Sequence, residues 1–587
     1  MWRAPQKLEL TWIGKGEEPA VEPRILLHDA SRDYGDPAAD NMLIHGDNLL
    51  ALKALEQEFA GRVKCVYIDP PYNTGEAFAE YDDNLEHSIW LHLMKSRVEI
   101  LRNLLADDGV FFCQLNDEEM NYCKVMLDEV FGRKNFINLV ALKTKNTAGA
   151  SGGGEDKRLK KNVEFILIYA KNYDLFQPFQ NVYSEENLFD LIEDMREQNK
   201  SWKYTSILAE IGEQIDERIV LDGSGDEIVV KKYKGVKRTT INRLIKEGLG
   251  ERQAYVDYFE QIFSDTNAQT SIRTRIINEF VSLAEDEALI ASYIPKTGRD
   301  KGTRVYHYYI SPTIRRVIWL KDTAEKKISG DIIKKEKLST YWDGFNWNNV
   351  NKEGGVIFTG GKKPEALIQR IIEMCSDPGD LVLDSFLGSG STVATAHKLG
   401  RRYIGIELGD HCYTHCLPRL NAVVDGEQGG ISRSVNWQGG GGFKFYELAP
   451  TLIVQDKHGQ PVFSDKYNPQ MLVAAVAKLN GFAFAPDAEV FWKQGRSQDN
   501  SYIYITTEYL SAMRLDDIQR DLQEWDRLLI CAPAFDIGLG KRYDNIDVRK
   551  IPQSVLKKCE YGVDDYNLNI VHPPLLDGSE WEDERDE

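Results

Sequence analysis

The sequence predicts an α/β fold in which a largely parallel sheet is covered by helices on both faces. Two stretches, 41–172 and 351–425, alternate short apolar strands with amphipathic helices, which is the pattern of a parallel sheet. The strands are nearly continuous apolar runs, as expected where both faces of a strand are buried. A charged segment, 173–350, separates the two stretches. We therefore expect one sheet assembled from two halves, with a domain inserted between them.

The first stretch contains three predicted strand–helix pairs followed by one more strand. The pairs are MLIH with NLLALKAL around a turn at Gly46-Asp47-Asn48, VKCVYI with SIWLHLMKSRVEILRNLL, and GVFFCQLND with EEMNYCKVMLDEVFG. The long second helix is expected to stop at Asp107-Asp108-Gly109. The further strand, VEFILIYAKN, follows a glycine-rich loop that carries clustered lysines.

The tetrapeptide Asp69-Pro70-Pro71-Tyr72 ends the second of these strands. Neither proline can donate a ladder hydrogen bond, and Pro71 disfavours helix at Pro70, so the chain leaves the strand stiffly. The turn thereby holds the Asp69 carboxylate, the Pro70 carbonyl and the Tyr72 ring close together. Such a set suits a planar ring with an amino group, because the two acceptors hold the amino hydrogens and the rings stack. A strand-ending turn with a surface aspartate is the alternative interpretation.

The second stretch contains a glycine-rich turn between a strand and a helix, in LVLDSFLGSGSTVATA. Glycines are needed where the backbone turns tightly and approaches a ligand closely. About twenty residues later, the strand RRYIGIEL ends at Glu407, where an acidic side chain suits hydrogen bonding to ribose hydroxyls. The combination favours an adenosine-type cofactor over a simple strand–helix turn. The missing GxGxxG pattern and P-loop lysine argue against a dinucleotide or a triphosphate.

Length and composition place further limits on the chain. Its 587 residues suggest three or four domains, and the net charge of −20 argues against non-specific coating of nucleic acid. Eight scattered cysteines fit a reducing cytoplasm. No apolar run approaches the roughly 20 residues needed to cross a bilayer. Outside the two halves and the insert, the chain divides into an N-terminal arm at 1–40, an α/β unit at 443–570 and an acidic tail at 571–587.

The run His411-Cys412-Tyr413-Thr414-His415-Cys416 raises the question of a metal site. On a helix, the two cysteines share one face and the two histidines share another. Two ligands on one helix make only half of a tetrahedral zinc site, and no second CxxC or HxxxH pair occurs. We therefore predict buried helix thiols and no metal.

The segment 173–350 is charged and irregular, and we expect it to be rich in helix. Basic clusters at KKYKGVKR (231–238) and PKTGRDKGTR (295–304) each have a tyrosine beside them or shortly after. A solvated protein surface explains any one of these clusters. Their concentration in one insert favours contact with nucleic acid.

Together, the two motifs are similar to those of a known enzyme family. DPPY (69–72) and FLGSG (386–390) resemble the catalytic and S-adenosylmethionine motifs of amino-methyltransferases that act on DNA. DPPY ahead of FxGxG, with a long insert between, resembles the β-ordered adenine-N6 class, a circular permutation of the usual Rossmann-like methyltransferase sheet. HGDNLLALKAL before YIDPPYNTG, and the C-terminal LLICAPAFDIGLGKRY, resemble the modification subunits of type III restriction–modification systems. The resemblance covers nearly the whole chain and is most specific at 42–75 and 358–408.

The resemblance implies roles for individual residues. A target adenine flipped out of the duplex would stack on Tyr72, while Asp69 and the Pro70 carbonyl accept its N6 hydrogens. Adenine is favoured over cytosine because cytosine-N4 enzymes of the family generally have serine at the position of Asp69. The residues expected to bind S-adenosylmethionine are Asp47, Phe358, Thr359, Lys363, Asp384, Phe386, Gly388, Gly390 and Glu407, with Phe358, Thr359 and Lys363 in the segment FTGGKKPEALIQRII that meets its methionine end.

The resemblance also implies partners. These are double-stranded DNA, read by the insert, a second copy of the chain, and a helicase–nuclease restriction subunit, the last two held by residues 443–570. Three alternatives stay open at this point. The chain could be an orphan adenine methyltransferase, it could act on RNA or another amino group, or it could serve mainly as a recognition and assembly subunit.

Overall fold

A computed structural model describes the chain in two compact units. The described residues are 9–12, 14–16, 21–72, 87–145, 161–180, 182–223, 225–296, 301–347, 350–358, 361–497, 500–552 and 555. One unit is formed by Met1–Asn181 with Ser339–Glu587, and the other is Val182–Leu338. No helix of the described residues is long and apolar enough to cross a membrane.

The elements before the insert follow the predicted alternation. The strands are β1 (Leu26–His28), β2 (Tyr34–Gly35), β3 (Met42–His45), β4 (Val63–Ile68), β5 (Leu105–Leu115), β6 (Phe136–Lys143) and β7 (Val163–Ala170). The helices are α1 (Asn48–Phe59), α2 (His87–Leu104) and α3 (Met120–Leu127).

The unit Val182–Leu338 consists mainly of strands. They are β8 (Tyr183–Asn187), β9 (Ser206–Glu210), β10 (Glu213–Leu221), β11 (Glu227–Lys234), β12 (Lys237–Thr240), β13 (Ile262–Thr266), β14 (Glu287–Tyr293), β15 (Val305–Ile310), β16 (Arg315–Trp319), β17 (Ala324–Lys326) and β18 (Ile332–Lys337). Its helices are α4 (Leu188–Glu197), α5 (Ile241–Lys246), α6 (Glu251–Asp257) and α7 (Ser271–Phe280). The strands form an antiparallel sheet in the order β10-β11-β14-β15-β16-β13-β9-β12 and a smaller sheet, β17-β18-β8.

The elements after the insert complete the first unit. The strands are β19 (Tyr341–Trp342), β20 (Leu381–Asp384), β21 (Arg402–Glu407), β22 (Gly442–Leu448), β23 (Ile453–Gln455), β24 (Pro461–Phe463), β25 (Ala483–Phe484), β26 (Gly495–Arg496), β27 (Ser501–Ile505), β28 (Arg527–Ala532) and β29 (Ile546–Lys550). The helices are α8 (Glu365–Cys375), α9 (Ser391–Lys398), α10 (Leu417–Val424), α11 (Pro469–Leu479) and α12 (Ala512–Asp521).

Eleven strands of the described residues form one mixed central sheet, which interleaves the two halves of the chain. Its order is β1-β22-β3-β21-β20-β4-β5-β7-β6-β19, with β2 paired to β22. From β22 to β5 every neighbouring pair is parallel. The late strands β20 and β21 therefore lie between the early strands β3 and β4. This permuted α/β sheet confirms the predicted fold class.

The packing of the sheet explains why these residues form strands. The side chains of Cys65, Val66, Tyr67 and Ile68 on β4 are at most 1% exposed, so helices cover both faces. The buried faces of α1 and α2 join these strands in one continuous apolar core.

Several expectations need correction. Helix α2 ends at Leu104, and Asp107-Asp108-Gly109 lies within β5, because Leu105 already pairs with Val63 on the neighbouring strand. The strand β6 was not foreseen, since its FINLVALK sequence mixes polar and apolar residues where it pairs antiparallel with β7. The insert is rich in strands, not in helix.

Both ends of the first unit also differ from expectation. Strands β1 and β2 of the predicted arm pair antiparallel with β22, which extends the sheet beyond its parallel part. Strand β22 pairs in turn with β3, so residues 442–448 belong to the central sheet and not to the C-terminal unit predicted from 443. That unit does contain an α/β arrangement, in which β27, β28 and β29 are parallel. The acidic tail at 571–587 lies outside the described residues.

Candidate active site

Four acidic side chains follow four neighbouring strands at one edge of the central sheet. Strands β3, β21, β20 and β4 are adjacent and parallel, so their carboxyl ends meet there. Asp47 follows β3, Glu407 ends β21, Asp384 ends β20 and Asp69 follows β4. In open α/β sheets, ligands bind at this edge, where the order of strands changes direction along the chain.

The DPPY turn is held rigidly at this edge. The Tyr72 hydroxyl lies 2.6 Å from Oδ1 of Asp69 and 3.0 Å from Oε2 of Glu164. The carbonyl of Pro71 accepts a 2.7 Å hydrogen bond from the indole N–H of Trp90, which is fully buried on α2. Pro70 is buried, and the Tyr72 ring packs against the main core. The structure thus brings the predicted carboxylate and aromatic ring into direct contact.

The side chain of Lys363 contacts this turn directly. Its Nζ is 2.8 Å from Oδ2 of Asp69 and 3.6 Å from Oε2 of Glu164. The same nitrogen lies 5.0 Å from the centroid of the Tyr72 ring, a cation–π distance. The sequence predicted Lys363 for the cofactor, whereas the structure places its ammonium against Asp69 and Tyr72 of the DPPY turn.

The surroundings set the protonation of these groups. Burial raises the pKa of Asp69, and Glu164 adds to that rise, while Lys363 and the Tyr72 hydroxyl reduce it. Burial lowers the pKa of Lys363, but Asp69 and Glu164 outweigh that effect and raise it above the usual lysine value. Burial and the adjacent carboxylates raise the pKa of Tyr72 well above that of a free phenol. Lys363 is therefore charged and Tyr72 neutral at physiological pH.

Two polar residues behind the turn were missed from the sequence. Nε2 of Gln114 on β5 donates a 2.5 Å hydrogen bond to Oε2 of Glu164 on β7, and the Tyr67 hydroxyl donates to Oε1 of Gln114 at 2.8 Å. Gln114 is fully buried. A signal was present in the sequence, because each is a polar residue within an apolar strand, GVFFCQL or VEFILIYA, and burial of such groups requires partners.

The glycine-rich turn wraps around the carboxylate of Asp384. Its Oδ1 accepts from the backbone N–H of Phe386 at 2.9 Å and its Oδ2 from the Thr392 hydroxyl at 2.6 Å. Burial raises the pKa of Asp384 to about 7 despite these hydrogen bonds. Gly388 and Gly390 have φ values of +55° and +79°, in the left-handed region that favours glycine.

Glu407 is oriented by the same turn. Its Oε2 accepts from the N–H of Gly388 at 2.6 Å, and its Oε1 accepts from the N–H of Gly409 at 3.0 Å. The ring of His411 lies 2.9 Å from Oε1, and the Phe358 ring packs edge-on against His411 at a centroid distance of 5.7 Å. Phe358 and Glu407 therefore contact the same histidine ring. Thr359 lies outside the described residues.

The cysteines near this turn have structural contacts. Cys412 and Cys416 are buried, and Sγ of Cys416 donates to the carbonyl of Gly388 at 3.0 Å. Within the part of the chain that the structure describes, no cluster of three or more His, Cys, Asp or Glu side chains is arranged to hold a metal ion.

Asp47, which follows β3, contacts helices α1 and α2. Its Oδ1 caps helix α1 by accepting from the N–H of Leu50 at 2.9 Å, and its Oδ2 lies 3.4 Å from the buried guanidinium of Arg97. The next residue, Asn48, donates to the carbonyl of Ser385 at 2.8 Å. Helix α1 is thereby tied to the glycine-rich turn.

Comparison with known proteins places the chain in a family. The family described as DNA methylase, the N6/N4 group, matches residues 63–416, a range that contains both motifs and the insert. The chain belongs to this DNA methylase family.

Among its relatives is the probable type III restriction-modification enzyme HindVI Mod subunit of Haemophilus influenzae, which is 43% identical over 419 residues, or 71% of this chain and 55% of that protein. The StyLTI Mod subunit of Salmonella typhimurium is 25% identical over 388 residues, or 60% of this chain and 49% of that protein. The chain thus spans about half the length of these two curated relatives. A solved structure, PvuII DNA methyltransferase (cytosine-N4-specific), covers 68% of this chain and 91% of its own at 12% identity and a TM-score of 0.30.

Proposed function

We propose that this DNA methylase transfers a methyl group from S-adenosylmethionine to N6 of adenine at specific sites in double-stranded DNA. The observation that carries the proposal is the juxtaposition, on one sheet edge, of the DPPY turn with the glycine-rich turn and Glu407. Asp69 supports adenine as the target base, since cytosine-N4 enzymes of this family generally have serine there.

The residues at the sheet edge fit this cofactor. Its sulfonium and ammonium groups are cationic, and carboxylates follow each of the four adjacent strands. Glu407 is oriented by backbone N–H groups at the position suited to a ribose diol. In the same turn, the buried Ser385 hydroxyl has no hydrogen-bond partner among the described residues, so it is available to a ligand. When bound, the cofactor supplies an electrophilic methyl group.

The turn residues would prepare the target nitrogen for attack. The exocyclic nitrogen of adenine is conjugated to its ring, so its lone pair is not available in the free base. Hydrogen bonds from its two hydrogens to the Asp69 carboxylate and the Pro70 carbonyl would favour tetrahedral geometry and localise the lone pair. Tyr72 would hold the flipped ring in position by stacking. Positioning of this kind can contribute much of the rate enhancement.

The remaining parts of the chain support a modification role. We assign target recognition to the insert, predicted at 173–350, and contacts with a second copy and a helicase–nuclease partner to residues 443–570. The relatives named above as Mod subunits of type III enzymes support this assignment. The seven cysteines of the described residues are all free and buried, which fits a reducing cytoplasm.

Substitution of Asp69 tests the activity. We expect Asp69→Ala to reduce transfer of tritiated methyl groups to DNA by about 100-fold or more, because the target nitrogen loses its principal acceptor. Cofactor binding, measured by calorimetry, should survive in this variant. A matched control is Asp108→Ala on β5. Its carboxylate pairs with Lys64 at 2.6 Å near the amino ends of β4 and β5, away from the DPPY turn. Transfer at the wild-type rate by Asp69→Ala would disprove the assignment.

Two further measurements separate the alternatives. Mapping of modified bases in DNA from cells that carry the chain will show whether adenine in DNA is the acceptor and which sites are modified. Co-purification of a larger partner would support a type III system, whereas a solitary active species would indicate an orphan methyltransferase.

A further inference from the structure

Lys363 occupies the contacts that the proposed function gives to the target base. Its ammonium donates to Asp69 and lies over the Tyr72 ring, as an amino-bearing base would. The Lys363 side chain is buried, with only 7% of it exposed. Both oxygens of Asp69 are engaged in this state, because Oδ1 contacts the Tyr72 hydroxyl and Oδ2 contacts Lys363. Each carboxylate oxygen can accept a second hydrogen bond, but the Lys363 ammonium lies over the Tyr72 ring, so a base that stacks on this ring must displace the lysine.

Glu164 offers Lys363 an alternative carboxylate. Its Oε2 is already within ion-pair distance of the lysine, at 3.6 Å, and within hydrogen-bond distance of the Tyr72 hydroxyl, at 3.0 Å. Gln114 fixes this carboxylate by donating to the same oxygen. Glu164 thus contacts both groups that now hold Asp69.

We propose that Lys363 is a positioning residue that fills the target-base site in the empty enzyme and transfers its ion pair from Asp69 to Glu164 when the base enters. The inference rests on the proposed function and adds to it a displacement step within the same site. Lys363 stays protonated throughout, so the step moves an ion pair and no proton. The lysine keeps a buried carboxylate neutralised while the site is empty, which avoids the cost of an unpaired buried charge.

The proposed role of Lys363 predicts opposite changes in the pKa of Asp69 when Lys363 or Glu164 loses its charge. The groups that act on the ionisation of Asp69, from its own turn and from the elements packed around it, are Lys363, Glu164, Tyr72, Tyr67, Asp384 and Cys113. Removal of the lysine charge raises the pKa of Asp69 further, whereas removal of the Glu164 charge lowers it. If Lys363 and Glu164 acted only by filling space, neither substitution would change the pKa of Asp69.

The test is the pH dependence of methyl transfer by the full chain, with tritiated S-adenosylmethionine and DNA from a methylation-free host. The acidic limb of the profile reports the pKa of the required carboxylate. We expect Lys363→Met to move this limb about 1 unit or more to higher pH, and Glu164→Gln to move it by a similar amount to lower pH. Lys363→Arg keeps the charge and should leave the limb at its wild-type position. Matched controls are Lys64→Met on β4 and Glu99→Gln on α2, both in ion pairs remote from the DPPY turn.

A second measurement does not depend on chemistry. Once the modified adenine is mapped, a duplex with 2-aminopurine at that position reports base flipping by its fluorescence. We expect Lys363→Met to increase the flipped fraction, because methionine makes no ion pair with Asp69 that the entering base must break, and Glu164→Gln to decrease it, because the lysine has no second carboxylate. The inference would be overturned if the acidic limb stayed at its wild-type pH in both Lys363→Met and Glu164→Gln and the flipped fraction did not change. Failure of the wild-type chain to methylate DNA at all would instead disprove the proposed function.

Discussion

At the scale of single residues, hydrogen-bond partners distinguish two carboxylates that look equivalent in the sequence and are both buried. Asp384 and Glu407 both end parallel strands at the same sheet edge. Asp384 is enclosed by its own turn, and burial raises its pKa to about 7. Glu407 instead accepts from two backbone N–H groups of the turn. The sequence could place both residues at the edge, but their different environments depend on the folded turn.

The raised pKa of Asp384 predicts that cofactor affinity depends on pH. Below about pH 7 the carboxyl group is mostly protonated, and a cationic cofactor bound at this edge, as proposed, would favour the ionised form. Binding should therefore release a proton, and affinity for S-adenosylmethionine should rise as pH increases from 6 to 8. Calorimetry in buffers of different ionisation enthalpy measures both quantities. Asp384→Asn should bind more weakly and without this pH dependence, while the exposed control Asp410→Asn should retain the wild-type profile. An identical slope in Asp384→Asn would contradict the prediction.

At the scale of elements, the sequence predicts the most buried strands most accurately. The predicted bounds Val63–Ile68 agree with β4, because a strand buried on both faces is a continuous apolar run. The insert was predicted to be helical and is built from strands such as EQIDERIVL and EIVVKKYK, whose many charges hide a sheet with an exposed face. Antiparallel pairing between distant segments, such as β11 with β14, supplies the stabilisation that a local pattern does not reveal.

Local sequence patterns also do not reveal a buried ion network, which holds three helices together behind the glycine-rich turn. Glu365 on α8 pairs with Lys398 on α9 at 2.7 Å and with Arg419 on α10 at 2.8 Å, and all three side chains are fully buried. Arg419 also donates to the carbonyl of Ser389 at 3.2 Å and to the Ser391 hydroxyl at 2.8 Å. In the sequence each charge looks like part of a solvated helix face. The network thus holds the turn at Ser389 and Ser391, next to Gly388, which contacts Glu407.

Removal of Arg419 should weaken both the fold and the glycine-rich turn. Arg419→Met leaves Glu365 with one cation and takes a donor from Ser389, and loss of one partner from a buried pair costs about 3–5 kcal/mol. We expect a lower urea midpoint, followed by tryptophan fluorescence, together with weaker cofactor binding by calorimetry. The control is Arg402→Met on β21, where an exposed guanidinium lies 3.6 Å from Asp40 and contributes at most about 1 kcal/mol. Equal stability of the two variants would show that the network does not support the turn.

At the scale of the whole molecule, the order of the motifs predicted a sheet in two halves but not the limits of the insert. The sequence predicts the insert at 173–350, whereas the compact unit is Val182–Leu338. This unit has apolar cores of its own, formed around residues such as Tyr255, Leu289 and Phe263. Its ends meet, since the N–H of Leu338 donates to the carbonyl of Val182 at 2.8 Å. A short linker can therefore replace it without stretching the chain.

Replacement of Val182–Leu338 by a short glycine–serine linker should separate chemistry from recognition. The acidic residues of the sheet edge, the DPPY turn and Lys363 all belong to the other unit, so the shortened chain should bind S-adenosylmethionine with an affinity close to that of the full chain. We expect it to lose methylation of the mapped DNA sites, because we assign the contacts that select them to the insert. Calorimetry and sequencing of modified adenines give the two readouts. Continued methylation of the same sites would assign recognition to the first unit, whereas loss of cofactor binding would show that the insert also supports the fold of the sheet edge.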